Sequence, residues 1–204
     1  ILLSKDGVFI IEAPYLVVFL QKNLFDTIYH EHLSYLSLKP LVNFFKKHKM
    51  KIIDVKETGS HGGSIRVFIS KEESTRKINP SVRKLLIKEE KLGLDNLDTY
   101  TQFASRIKQN KNKLSKLLKG LKKKGAKIAG FGAPAKGNTL LNYFKIGTET
   151  LDYIVDDSSY KQNLFTPGTH IPVVSPKKIE LDRPDYVFIL AWNFAEPIMA
   201  KLSA

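Results

Sequence analysis

The string "KIAGFGAPAKGNTLLNYF" (127–144) constrains the fold more than any other part of the chain. A short apolar run leads into Gly130-x-Gly132-x-x-Ala135, after which apolar positions recur at helical spacing. The string therefore reads as strand, glycine turn and helix. Two further apolar runs of strand length follow, "LDYIVDD" (151–157) and "PDYVFILAW" (184–192). Apolar strands alternating with helices predict a parallel sheet covered on both faces. Glycines at such a turn let a backbone approach a phosphate, the helix N-terminus offers unpaired N–H groups, and Lys136 would add a cation. Asp156 and Asp157 follow about 20 residues on, near where a dinucleotide-binding turn carries its ribose-binding acid. Tight packing of strand against helix explains the same glycines equally well, and Pro134 is unusual for a dinucleotide turn.

Upstream, residues 8–13 read as a strand that Pro14 ends, and 37–48 as an amphipathic helix. Residues 51–56 and 64–70 read as strands separated by the turn "TGSHGGS". The pattern is helical from about 81 to 92 and again from about 96 to 124, with Gly93 and Gly125 as stops. The whole is α/β, two lobes joined by helices. At 204 residues it can bury one good core or two small ones. No apolar run approaches the roughly 20 residues that span a bilayer, so no membrane partner is expected. With no cysteine there are no disulfides and no thiolate metal ligands, which fits a cytoplasmic protein. The opening "ILLSKDGVFIIEAPYL" lacks the features of a signal peptide and reads as a strand already under way, so a piece of something longer is expected.

A net charge of +13 raises the question of nucleic acid. The lysines, however, concentrate in 106–127, where Ile107, Leu114, Leu117, Leu118 and Leu121 recur at helical spacing and leave the lysines on a solvated face. Arginine is scarce and no aromatics interleave with the lysines, so base stacking and bidentate readout have little to work with. No nucleic-acid partner is expected.

"TIYHEHLSY" (27–35) gathers Tyr29, His30, Glu31 and His32 in a chain with five histidines. Zinc would require at least three ligands, and His30 with His32 on one strand face supplies two, with no third at a recognisable spacing; no metal is assigned. Proton transfer and a structural polar cluster both remain open from residue types alone.

"FDTIYHEHLSYLSL", "HGGSIRVFIS", "GFGAPAKGNTLLNY", "VDDSSYKQNLFTPGTHIPV" and "PDYVFILAWNFAEPI", in this order, resemble the C-terminal half of the SAM-dependent sugar C-methyltransferases. One departure is Asn163-Leu164-Phe165, where a glycine-containing variant is expected. The resemblance implies methyl transfer from S-adenosylmethionine (SAM) to carbon 3 of a nucleotide-linked 4-keto-6-deoxysugar. It implies a truncated tail of a Rossmann-like methyltransferase domain over 1–70. A C-terminal domain over 71–204 would comprise a helical connector (71–126) and a Rossmann-like parallel sheet (127–204). The SAM loop would lie upstream of Ile1, and zinc is implied only for an N-terminal domain further upstream. By similarity His32 is the base that makes the sugar carbon nucleophilic, assisted by Tyr29 and Glu31. The nucleotide sugar is the partner implied, met by His61, Ser64 and Arg66 in one turn and by Lys136, Gly137 and Asn138 in the other. His170 is expected to be structural. Trp192 and Asn193 sit at a strand end where α/β sheets bind ligands, with core packing as the alternative for the tryptophan. Two other functions remain: a nucleotide-sugar binding module without activity, and an NAD(P)-dependent oxidoreductase using the 130–135 turn.

Overall fold

The computed structural model describes residues 3–203, with His61 by its backbone alone. The chain divides into two units, Ile1–Leu24 with Leu33–Arg106, and Phe25–His32 with Ile107–Ala204.

The first unit opens with β1 (Phe9–Pro14), which passes through Tyr15 directly into α1 (Leu16–Gln21). Helix α2 (Leu38–Lys47) buries Leu38, Leu41 and Phe45, one stripe at helical spacing. Strands β2 (Met50–Thr58) and β3 (Ser64–Lys71) follow. The sheet order is β1-β3-β2, and β3 is antiparallel to both neighbours. Its buried residues Ile65, Val67 and Ile69 alternate, as the period of a strand requires. Helix α3 (Pro80–Lys91) has Pro80 in its first turn and the Asn79 side chain as cap on the Ser81 N–H, and it buries Val82, Leu85 and Glu89. Helix α4 (Leu97–Lys123) gives its residues up to Arg106 to this unit. Leu117, expected on the apolar stripe of α4, is 58% exposed, while Ile107 and Leu118 are buried.

The second unit is the predicted parallel sheet. Strand β4 (Ile128–Phe131) is buried throughout and leads through the glycine turn into α5 (Ala135–Phe144). Next come β5 (Tyr153–Val155), β6 (Val173–Val174), α6 (Lys177–Asp182), β7 (Tyr186–Ile189) and α7 (Ala195–Ser203). The order is β6-β5-β4-β7 with every pair parallel. The strand sequence moves outward from β4 to β6 and then returns to the other side of β4, so the order reverses between β4 and β7. That is where open α/β sheets form a crevice at their carboxyl ends. Strand β5 is shorter than the expected 151–157 because Asp156 turns out of it to bond the glycine turn. Among the described residues no helix is long and apolar enough to cross a membrane.

Candidate active site

Residues 25–32 form two successive turns within the second unit. A 3-10 turn over Phe25–Thr27 is closed by the Ile28 N–H on the Phe25 carbonyl, and the His32 N–H then donates to the Tyr29 carbonyl at 2.9 Å. Phe25 anchors the segment by stacking on Phe144 of α5, with centroids 5.1 Å apart and planes 9° from parallel. The expectation that His30 and His32 share a strand face is replaced by a turn, because the 29–32 backbone bond folds the segment back. The consequence is chemical. Tyr29 and His32 are brought edge to face, centroids 4.8 Å apart, with His32 Nε2 3.1 Å from the Tyr29 hydroxyl. Both are half-buried, whereas His30 and Glu31 are exposed. Burial first, and then the Glu31 carboxylate and Asp26, push the Tyr29 phenol above its ordinary pKa. His32 Nε2 thus meets the Tyr29 oxygen, and Glu31 lies near enough to that phenol to raise its pKa. Among the described residues no three His, Asp or Glu side chains converge as metal ligands.

Asp26, which no sequence pattern singles out, is 3% exposed. It accepts the Trp192 indole N–H at 2.6 Å. Trp192 is half-buried after β7, and the Lys136 ammonium lies 4.5 Å from the centroid of its ring. The same ammonium bonds the side-chain oxygen of Asn193. Burial raises the Asp26 carboxyl above the usual carboxylate range, with the indole bond and Lys136 offsetting part of the effect. Burial lowers the Lys136 ammonium, which Asp26 offsets in part. A sequence places Trp192 at a strand end but gives no hint that position 26 reaches it, 166 residues away.

The glycine turn is tightly packed. Gly132 has φ +83°, and a Cβ there would come within 2.8 Å of the Ala191 Cβ. Gly137 is buried, with Leu190 at 3.3 Å from where its Cβ would be. The Ala133 N–H donates to Asp156 Oδ2 at 2.7 Å, the Ser158 N–H to its other oxygen at 2.9 Å, and Lys161 Nζ lies 3.2 Å away. Asp156 therefore pins the turn to the end of β5 instead of facing a ribose. Asp157 pairs with Lys201. These contacts assign the glycines to strand-to-helix packing. The start of α5 still presents the N–H groups of its first turn, with Lys136 and Asn138 half-buried beside them. The Pro167-Gly168 turn packs on α5, its Pro167 carbonyl accepting from Asn142.

His61, Ser64 and Arg66 belong to the first unit. The side chain of His61 lies outside the described residues. Ser64 is 1% exposed and its hydroxyl donates to the Ser60 carbonyl at 2.9 Å, closing the turn. The Arg66 guanidinium donates to Glu12 on the neighbouring strand at 2.6 Å, its register partner. Ser64 thus has its partner in the adjoining turn and the Arg66 Nε has its partner within the sheet.

Residues 59–204 match the family described as C-methyltransferase C-terminal domain. C-methyltransferase NovU of Streptomyces niveus is 38% identical to the chain over 198 residues, which is 97% of this chain and 47% of the relative. The chain spans about half the length of that curated relative.

Proposed function

Because the chain belongs to the C-methyltransferase C-terminal domain family, we propose that the whole protein methylates carbon 3 of a nucleotide-linked 4-keto-6-deoxysugar and that this half generates the carbon nucleophile. The observation that carries it is the contact between His32 Nε2 and the Tyr29 hydroxyl at 3.1 Å, with burial first and then Glu31 raising the phenol pKa. A carbon beside a ketone becomes nucleophilic only when its proton is removed by a base within hydrogen-bonding reach. In this arrangement Nε2–H donates to the Tyr29 oxygen and the Tyr29 hydroxyl donates to Glu31, which leaves the Nδ1 lone pair of His32 as the base. The carbon 3 proton passes to Nδ1, and the electron pair stays with the sugar as the enolate. The positive charge on the ring is stabilised through Tyr29 by the Glu31 carboxylate, as a carboxylate steadies an imidazolium elsewhere.

Lys136, Gly137 and Asn138 are the contacts for the diphosphate or sugar, supported by the positive end of α5 and the ammonium at its first turn. His61, Ser64 and Arg66 are the further contacts proposed for the nucleotide sugar, Arg66 through the guanidinium N–H groups beyond the Nε that bonds Glu12. SAM, when bound, supplies the electrophilic methyl group. Among the described residues the first unit has no glycine turn between strand and helix, β1 running through Tyr15 into α1, and no residue of this chain is assigned to hold SAM.

The test is deuterium wash-in at carbon 3 of the nucleotide sugar, run in the intact enzyme with no methyl donor. His32→Ala is expected to slow it by about 10²–10⁴. An unchanged rate would remove His32 from the role.

A further inference from the structure

One buried ionisable group has no part in that proton transfer. Asp26 lies three residues before Tyr29, and its carboxylate takes the indole N–H of Trp192 at 2.6 Å. The groups around it come from separate elements: Lys136 from the first turn of α5, and Trp192 and Asn193 from the turn after β7. Lys136 lies over the indole and bonds Asn193, so ammonium, ring and carboxylate form one assembly at the end of the sheet where the strand order reverses. On the assignment of His32 as base, we propose that Asp26 is a positioning residue. By holding Trp192 it fixes the turn carrying Tyr29 and His32 to the carboxyl end of β7, on the same assembly as the phosphate-facing Lys136.

Burial adds an energetic cost to this placement. The groups facing Asp26 are Lys136 on α5, Trp192 after β7, and Tyr29 in the next turn. Burial raises the acid, and the indole bond, Lys136 and the nearby Asp26 and Thr27 N–H groups offset it only in part. A group whose pKa is raised on folding contributes stability below its unfolded value and loses that contribution as pH rises through its folded value. Burial of Asp26 therefore adds less to stability as pH rises above the ordinary carboxylate range.

In the intact enzyme, Asp26→Asn and Trp192→Phe are each expected to lower kcat about tenfold or more, with KM for the nucleotide sugar changed less than about threefold. The double variant should be no slower than the slower single, because both break one tie. Asp26→Asn should melt no lower than wild type at neutral pH. The indole N–H resonance that disappears in Trp192→Phe should shift in Asp26→Asn. Wild-type kcat in both variants, a loss confined to KM, additive losses, a fall in melting temperature in Asp26→Asn, or an unmoved indole resonance would each overturn the inference. Deuterium wash-in separates the two assignments. A normal rate in His32→Ala with a slow one in Asp26→Asn sinks the base assignment and leaves Asp26 in place, and the reverse result sinks the inference drawn here.

Discussion

Glu89 and Asp26 are both carboxylates closed off from water, one in each unit, and they are held in opposite ways. Glu89, 2% exposed on the buried stripe of α3, accepts the backbone N–H groups of Leu38 at 2.6 Å and Lys39 at 3.0 Å, and the Tyr15 hydroxyl at 3.0 Å. Two of these donors are the unpaired N–H groups at the start of α2, where a negative charge is also favoured by the helix dipole. Burial and the adjacent Glu89 push the Tyr15 phenol well above its ordinary pKa. Asp26 has a side-chain donor from a distant turn, an ammonium beyond the ring, and weaker help from N–H groups in its own turn. Backbone donors are fixed by a helix that forms anyway, so they satisfy a buried acid at little cost in ordering. A lone indole must itself be held in place. The first design joins α3, α2 and the start of α1 into one core; the second ties a turn to a distant side chain.

The largest expected effect that tests this contrast is at Glu89. Glu89→Ala strands two backbone N–H groups and a phenol in the interior and should cost about 3–5 kcal/mol in chemical denaturation. Glu89→Gln should also destabilise, because its amide N–H₂ would face a donor. Equal melting of Glu89→Gln and wild type would break the contrast with Asp26→Asn.

Asp156 asks whether the kind of donor or the unit decides. It lies in the second unit, yet like Glu89 it accepts two backbone N–H groups. Burial pushes its carboxyl up, but those N–H groups and Lys161 outweigh it, so the pKa ends below the ordinary range. Its contribution is present above the ordinary carboxylate value and is lost as pH falls through the depressed folded value. Asp156→Asn should cost about 1–2 kcal/mol at neutral pH and flatten the acid limb of the stability curve. A pH profile identical to wild type would show that location, not donor type, governs.

The smallest effect belongs to the exposed pair of Arg66 and Glu12, which water and salt screen. Arg66→Ala should move the melting temperature by less than about 2 °C, and a larger drop would mean that the sheet register itself depends on the pair.

Much of the fold was legible. Helices α2, α3 and α4 fall where apolar periodicity, Gly93 and Gly125 set them, and the parallel sheet follows from apolar runs alternating with helices. Short elements were not: α1, α6, α7 and the two-residue β6 are too brief to show a period, and tertiary contacts hold them. At the site, "YHEH" was visible as a crowded group, but the bond from His32 to Tyr29 rather than to Glu31 depends on the backbone turning at 29–32. The dinucleotide-like spacing was visible as well. Whether its glycines serve a ligand or packing was decided by Ala191, Leu190 and Asp156, none adjacent to them in sequence.

The sequence by itself determined the α/β alternation, the strand–glycine turn–helix at 128–144 and the residue types available for proton transfer, since these are set by side-chain periodicity and chemistry within a few positions. Only the tertiary structure decided which acid meets which donor. Glu89 finds α2 across about fifty residues and Asp26 finds Trp192 across 166. Burial then makes the first a fixed element of the core and raises the pKa of the second, because the energy of a buried carboxylate depends on partners that the local chain does not specify.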